Sequence, residues 1–235
     1  MLAAAAFCLL LGCRNEPRPE PATWAEPGGA QPGRAEPIAA LPPGPEQNPA
    51  WVALGRELFD SPVASGDGQV SCRSCHRPEH GFAEGRALSK PAGRLPMSKN
   101  TPTLLNVAHL EAFNWDGRFS SLEDHLDSLI QNPMVQATTW ESFAGRLRAS
   151  DHWTAAFERA FADGVSGANA RAALLAYERS LVSPGAPFDR WLLGDEQALA
   201  PAAREGYALF KSRGCISCHQ GALIGGNVFA RLGIM

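Results

Sequence analysis

The chain has 235 residues, of which 45% are hydrophobic, and this suits one or two globular domains with ordinary cores. Its formal net charge is −3 and its pI is about 6.1, so no nucleic-acid partner is indicated. Six tryptophans against two tyrosines is an unusual ratio, and most of the six are expected to fill a core.

Residues 2–12, LAAAAFCLLLG, are uncharged and apolar, and they are too short to span a bilayer. They have the length of a signal-peptide core, which predicts a signal peptide over residues 1–12, although the chain shows no positively charged n-region beyond the terminal amine. The ending LLGC resembles a lipoprotein cleavage box that would make Cys13 the lipidated first residue; the alternative is a plain secretory signal. Both predict export, so we expect a periplasmic protein that touches a membrane only through such an anchor.

Residues 13–49 are rich in proline and glycine and have no apolar period, which predicts a disordered tether. A helix then begins at Pro49, with Trp51, Leu54 and Leu58 at helical spacing and the string GRELF near its end. The first cysteine pair follows, as CRSCH at 72–76.

The segment 120–198 predicts further helices. An apolar stripe is formed by Leu122, Leu126, Leu129 and Ile130. The pattern Thr138-x-x-Glu141 predicts a capping box, Asp151 a cap for a helix over 152–163, and Ser166 a long helix to about 182. No alternating strand pattern is present.

A last helix is predicted from about Pro201 to Gly214, and its GYALF string matches the earlier GRELF. The second cysteine pair follows as CISCH at 215–219. The same unit, a helix and then a cysteine-histidine turn, therefore occurs twice. The predicted fold is all-α with two cytochrome-c-like domains, an N-terminal one over 50–195 and the start of a C-terminal one over 196–235. Because such a domain needs more residues than this second segment supplies, we expect it to be incomplete.

Of the six cysteines, two lie in the signal region and four form the two pairs, Cys72 with Cys75 and Cys215 with Cys218. Disulfides or a zinc site would account for the cysteines of an exported protein, but neither explains a histidine directly after each pair, His76 and His219. C-x-x-C-H is the attachment sequence of a c-type haem, in which the thiols form thioethers and the histidine ligates iron. Two covalently bound haems c are therefore predicted.

From about residue 50 to 235 the chain resembles the bacterial di-haem cytochrome c peroxidase family, which includes the MauG-type enzymes. The resemblance rests on the order and spacing of LGRELFDSPVASGDGQVSCRSCH, KNTPTLLNVA at 99–108, NWDGRFSSLEDH at 114–125, AYERSLVSPGAPFDRWLLGDEQAL at 176–199 and GYALFKSRGCISCHQGALIGGNVFARLG. It implies reduction of hydrogen peroxide to water at the N-terminal haem. Electrons would arrive from a small cytochrome c or copper protein through the C-terminal haem. A homodimer is also considered.

The resemblance also implies roles for two residues outside the haem triplets. Trp115 of the WDGR string matches a tryptophan that the family places between the haems; the alternative is a buried core tryptophan. Asn100 matches a ligand of the family's interdomain calcium ion, whose remaining ligands would lie beyond this sequence.

The chain departs from the family on the side of the N-terminal haem opposite His76. The loop 89–99, SKPAGRLPMSK, lacks the histidine that caps the resting iron in typical members: Ala92 occupies its place, and Met97 is a weak replacement. We therefore expect a high-spin resting haem. The family's pocket glutamine aligns with His125 and its glutamate with Val135. His125 is interpreted in three ways, as a hydrogen-bonded core residue, a base near the peroxide, or an iron ligand.

The remaining histidines carry weaker expectations. His80 is expected at the haem edge, and His109 and His152 at the surface or in caps. Arg118 and Arg179 are each interpreted either as a partner of a haem propionate or as one half of an ion pair with a neighbouring Asp116 or Glu178.

Three functions remain open at this point. The first is a periplasmic cytochrome c peroxidase, and the second is a MauG-like oxidase that uses peroxide to modify a protein side chain. The third is a plain electron-transfer cytochrome. Loss of the glutamate at Val135 favours the third, whereas the WDGR string and Asn100 argue against it.

Overall fold

The computed structural model describes residues 36–225, and within that range it is helical and contains no β-strand. The α-helices are α1 (Pro49–Asp60), α2 (Cys72–Cys75), α3 (Leu122–Gln131), α4 (Trp140–Arg148), α5 (Asp151–Ala160), α6 (Gly167–Ser180), α7 (Pro187–Leu192) and α8 (Pro201–Ser212). Short 3₁₀ turns lie at Pro62–Ala64, Pro78–His80, Val107–His109 and Cys215–Ser217. The all-α prediction is confirmed for these residues. None of their helices combines the length and apolarity that crossing a membrane requires.

The main core forms where α1 crosses α6. Gly55 permits this crossing, because a Cβ at that position would lie 2.0 Å from the Ala173 carbonyl oxygen. Phe59 and Tyr177 meet edge to face across the same contact, with ring centroids 5.1 Å apart. Apolar faces of α3, α4 and α5 complete this core, and Cys72 of the first cysteine-histidine turn packs against it.

A second, smaller core joins α7 and α8 to a segment that precedes α1. Ile38 is buried with Trp191 and Tyr207, and the backbone N–H of Leu41 donates to Asp189 Oδ1 at 3.0 Å. The prediction of a disordered tether over 13–49 is therefore wrong for residues 36–48, because these side chains find an apolar surface that the sequence pattern does not reveal. The rest of the tether and the signal region lie outside the described residues.

The helices that begin at a proline or after a capping serine start where the sequence predicts. The predicted caps of α4 and α5 are wrong by one residue. The hydroxyl of Ser166 caps α6, as expected, by accepting from Asn169 N. The cap of α4 is Thr139 and not Thr138, because the Thr138 hydroxyl accepts instead from Arg146 Nη2 at 3.0 Å. Helix α5 begins at Asp151 itself, after Ser150, so Asp151 is not its cap.

Candidate functional site

The first cysteine pair lies on a single helical turn, α2. Ser71 fixes the start of this turn: its hydroxyl accepts from Ser74 N at 3.2 Å, and its own N–H donates to Ser74 Oγ at 3.0 Å. Cys72 and Cys75 are three residues apart and so face the same side of the turn. His76 follows at once, with its N–H donating to the Cys72 carbonyl at 2.9 Å.

His76 is held in one orientation by the loop that follows it. Its Nδ1 lies 3.0 Å from the Phe82 carbonyl oxygen and donates to it, which leaves Nε2 as the ligating nitrogen. The carbonyl points back at the ring because Gly81 and Phe82 both adopt left-handed backbone conformations, with φ of 64° and 59°. Burial lowers the pKa of His76, which favours the neutral imidazole that binds a metal.

The second triplet repeats this arrangement. His219 N–H donates to the Cys215 carbonyl at 3.0 Å, and His219 Nδ1 lies 3.0 Å from the Ile224 carbonyl oxygen. Ile224 adopts the left-handed conformation that Phe82 adopts in the first site, with φ 54°. The repeat predicted from the GxxLF and C-x-x-C-H sequences therefore extends to the hydrogen bonds and backbone conformations of the two turns. The two sites differ in exposure, because Cys215, Cys218 and His219 are all exposed.

Neither the disulfide nor the zinc interpretation finds support among the described residues. All four cysteines are free thiols, and no three Cys, His, Asp or Glu side chains of residues 36–225 are grouped as a metal ion would need. Burial raises the pKa of Cys72 to about 12, which disfavours the thiolate that zinc requires. Two neutral sulfurs on one turn beside a neutral, oriented histidine fit thioether attachment of a haem.

His125 lies on α3, within electrostatic range of His76. Its ring packs against Phe119 at 5.4 Å and Phe113 at 6.2 Å between centroids. No described residue hydrogen-bonds to the ring, so the interpretation as a hydrogen-bonded core residue is not supported. Burial is the main cause that lowers the pKa of His125 to about 4, and electrostatic interactions with His76 and Arg118 add to it. At neutral pH the side chain is an unprotonated base within electrostatic range of the predicted iron ligand.

The position that aligns with the family's glutamate offers a backbone group and an amide instead of a carboxylate. The Val135 carbonyl accepts from Arg94 Nε at 3.1 Å. Next to it, Gln136 is 3% exposed, and its Nε2 lies 4.0 Å from Cys72 Sγ. Gln136 Oε1 is buried without a partner among the described residues, so an unsatisfied polar atom adjoins the attachment sulfur. Sequence reasoning missed Gln136, because nothing in an isolated glutamine signals burial.

The loop 89–99 is fastened to the body of the domain. Ser89 N donates to the Lys99 carbonyl at 3.0 Å, and Ser89 Oγ lies 3.8 Å from Cys75 Sγ. Arg94 Nη1 donates to Asp67 Oδ2 at 2.7 Å. Ala92 is exposed on this loop. The loop therefore lies beside the haem attachment turn without presenting a histidine to it.

Trp115 is half exposed, so the alternative of a buried core tryptophan is wrong. Its Nε1 donates to the Asn100 carbonyl oxygen at 2.9 Å, which joins the WDGR turn to the KNTPT segment. Asn114 and Gly117 both adopt left-handed backbone conformations at this turn, with φ of 69° and 62°. The assigned roles of Trp115 between haems and of Asn100 at calcium stay predictions.

The other residues mostly form ordinary surface contacts. Arg118 pairs with Asp116 at 3.1 Å, as one of its two interpretations predicted. Arg179 pairs with Glu123 of α3, so the predicted ion pair with Glu178 is wrong. His80 is exposed and His152 is 66% exposed in its side chain. His109, expected at the surface or in a cap, is the last residue of the 3₁₀ turn Val107–His109, and its Nε2 is buried without a described partner.

A helical fold that repeats a cysteine-cysteine-histidine turn, each with its histidine oriented by a carbonyl, defines a c-type cytochrome with two haem sites. Comparison narrows the class, because the family model of the di-haem cytochrome c peroxidases matches residues 49–197. The chain belongs to that family.

Individual relatives agree with this assignment. The chain is 36% identical to cytochrome c peroxidase Ccp of Escherichia coli over 203 residues, 86% of this chain and 43% of that protein. It is 39% identical to methylamine utilization protein MauG of Methylorubrum extorquens over 183 residues, 75% and 52% of the two chains. The crystal structure of a MauG-like protein associated with microbial copper homeostasis superposes with a TM-score of 0.68, at 23% identity, over 81% and 59%. The chain thus spans about half the length of the curated relatives it matches.

Proposed function

We propose that the protein reduces hydrogen peroxide to water at its N-terminal haem site, with single electrons supplied by a small cytochrome c or copper protein. The observation that carries the proposal is the placement of His125, a neutral base without a hydrogen-bond partner in the described part of the chain, on α3 within electrostatic range of His76. The balanced reaction joins one peroxide, two electrons and two protons into two waters.

Each part of the site has a stated task in this proposal. Cys72 and Cys75 hold the haem through thioethers, and His76 binds its iron through Nε2, while Phe82 fixes the imidazole plane. A bound haem supplies the redox-active iron at which the peroxide bond is reduced. His125 takes a proton from one peroxide oxygen on a ring nitrogen and returns it to the other oxygen, because its lowered pKa leaves the ring unprotonated and able to accept at neutral pH. The second site, Cys215, Cys218 and His219, receives electrons from the donor.

Replacement of His125 tests this assignment. In His125→Ala we expect peroxide turnover with a reduced donor cytochrome to fall by about 10²-fold or more, the usual contribution of a positioned acid–base group. His152→Ala is the matched control, because His152 is an exposed histidine that lies beside Glu57 and Trp153. Turnover that is equal in both variants removes His125 from the chemistry.

A second candidate is a MauG-like oxidase that uses peroxide to modify a protein side chain. It is favoured by the 39% identity to MauG of Methylorubrum extorquens and by the absence of a carboxylate at Val135. The exposed Trp115 ring would offer a route for electrons from a protein substrate. A third, a plain electron-transfer cytochrome, predicts no peroxide turnover in either the parent protein or the variants.

We further propose a periplasmic location, from the signal-like residues 2–12, with Cys13 as the lipid-bearing residue if the LLGC box is cleaved. Calcium at Asn100 and a homodimer remain proposals that follow from the family alone.

A further inference from the structure

Three carboxyl side chains are buried in the described part of the chain, and two of them are hydrogen-bonded. Glu84 is 4% exposed and accepts from Lys90 N at 3.3 Å, and Asp189 is 8% exposed and accepts from Leu41 N at 3.0 Å. Glu178 is 6% exposed, but no described residue donates a hydrogen bond to its carboxyl. Among residues 36–225, Glu178 is therefore the one buried acid whose carboxyl accepts no hydrogen bond from a described residue.

The surroundings of Glu178 favour its protonated form. It occupies the last turn of α6, where the helix dipole is negative and opposes a second negative charge. The adjacent Arg179 directs its guanidinium at Glu123 of α3. Burial, only partly offset by Arg179, raises the pKa of Glu178 to about 7.

Glu178 also lies within electrostatic range of the first haem attachment turn. Its charge acts on Cys72, where it adds to burial in raising the pKa of that thiol. The preceding residue, Tyr177, packs on Phe59, whose ring centroid is 6.4 Å from that of His76. The last turn of α6 therefore borders the space beside Cys72 and His76.

The other charged groups near this region act on its neighbours. Asp60 of α1 faces Cys72 and Tyr177, and Arg56 of α1 and Arg73 of α2 face Tyr177. Among the described residues, Arg179 is the one charged side chain whose charge shifts the pKa of Glu178 itself.

We propose that Glu178 is a redox-linked proton site, whose carboxyl takes up one proton from solvent as one electron enters the adjoining haem site and releases it as the electron leaves. The added negative charge raises the proton affinity of a buried, unpartnered carboxyl, and by linkage the proton raises the electron affinity of the site. This inference rests on the haem attachment in the proposed function.

The test is a spectroelectrochemical titration of the full chain with both haems attached, from about pH 5 to about pH 9. In the parent protein the midpoint potential of the N-terminal haem falls as pH rises through neutrality; a tenfold change in proton affinity on reduction corresponds to about 59 mV. In Glu178→Gln the potential becomes independent of pH over that range. Glu141→Gln, which removes an exposed carboxylate from α4, retains the parent's slope.

A flat parent titration, or a slope that persists unchanged in Glu178→Gln, overturns the proposal. If Glu178→Gln does not fold with both haems attached, reduced-minus-oxidised infrared difference spectra of the parent protein test the proposal instead. A protonated-carboxyl band that changes with redox state supports the proposal, and no such band contradicts it. Because no peroxide is used, this outcome is independent of whether the protein is a peroxidase.

Discussion

At the scale of single residues, the site residues that follow a fixed sequence spacing could be predicted. The residues that matter because they are buried could not. C-x-x-C-H names the attachment residues without a structure, and the structure adds only their orientation. Gln136 and Glu178 could not be found in this way. Their importance comes from being buried beside Cys72 by elements far apart in sequence. His125 lies between these cases, since alignment marked its position and the fold removed one of its three interpretations.

Asp67 gives a residue-scale prediction for stability against pH. Arg94 is the leading cause that holds the Asp67 pKa well below its ordinary value, so this carboxylate stabilises the fold above its unfolded pKa and loses that contribution as pH falls below it. We expect Asp67→Asn to lower the urea midpoint at pH 7, and the gap from the parent protein to shrink below about pH 4.

Asp195→Asn is the control for this prediction. Asp195 makes the same turn contact to an N–H two residues ahead, at 3.1 Å, without an arginine partner in the described residues. A gap between Asp67→Asn and the parent that stays constant down to the lowest pH would show that the ion pair is not the cause.

At the scale of elements, helices were predictable because proline starts and apolar periods are local signals, as at Pro49 and Pro201. Single-residue errors arose where two residues could serve the same role, as Thr138 and Thr139 could for α4. Arg146, seven residues further along the sequence from Thr139, decides between them by occupying the Thr138 hydroxyl. The crossing of α1 and α6 could not be predicted, because the GxxLF pattern does not indicate which helix backbone packs against Gly55.

Gly55→Ala tests that crossing. A Cβ placed 2.0 Å from the Ala173 carbonyl forces the two helices apart, so we expect a loss of about 1 to 3 kcal/mol in the free energy of unfolding. Gly145→Ala in α4, where a Cβ meets no described atom within 4 Å, should instead be neutral or stabilising by up to about 1 kcal/mol. Chemical denaturation of both variants measures the difference, and equal stabilities would exclude a close crossing at Gly55.

At the scale of the whole molecule, the segment before α1 belongs to the second core. Glu36 accepts from Lys211 Nζ at 2.8 Å and from the Tyr207 hydroxyl at 3.1 Å, so the contact of this segment with α8 is polar at Glu36 and apolar at Ile38. The many prolines of residues 13–49 suggested disorder. Locally, burial of the Ile38 and Leu41 side chains orders the segment in spite of them.

Ile38→Ala is expected to lower the stability of this second core by about 2 to 4 kcal/mol, as large-to-small changes in a core do. Hydrogen exchange of the α8 amides measures the loss, while amides of α6 in the main core should be protected as before. Leu193→Ala, at a site that is 53% exposed, is the control. Unchanged exchange in α8 would mean that the segment contributes nothing to that core.

The central claim is that the N-terminal haem site has an open iron, because loop 89–99 is fastened through Arg94 and carries no histidine. The most direct measurement is the spin state of the oxidised resting protein by electron paramagnetic resonance, followed by addition of peroxide without prior reduction. The account predicts one high-spin haem that reacts at once. Two low-spin haems that are inert to peroxide until reduced would contradict it.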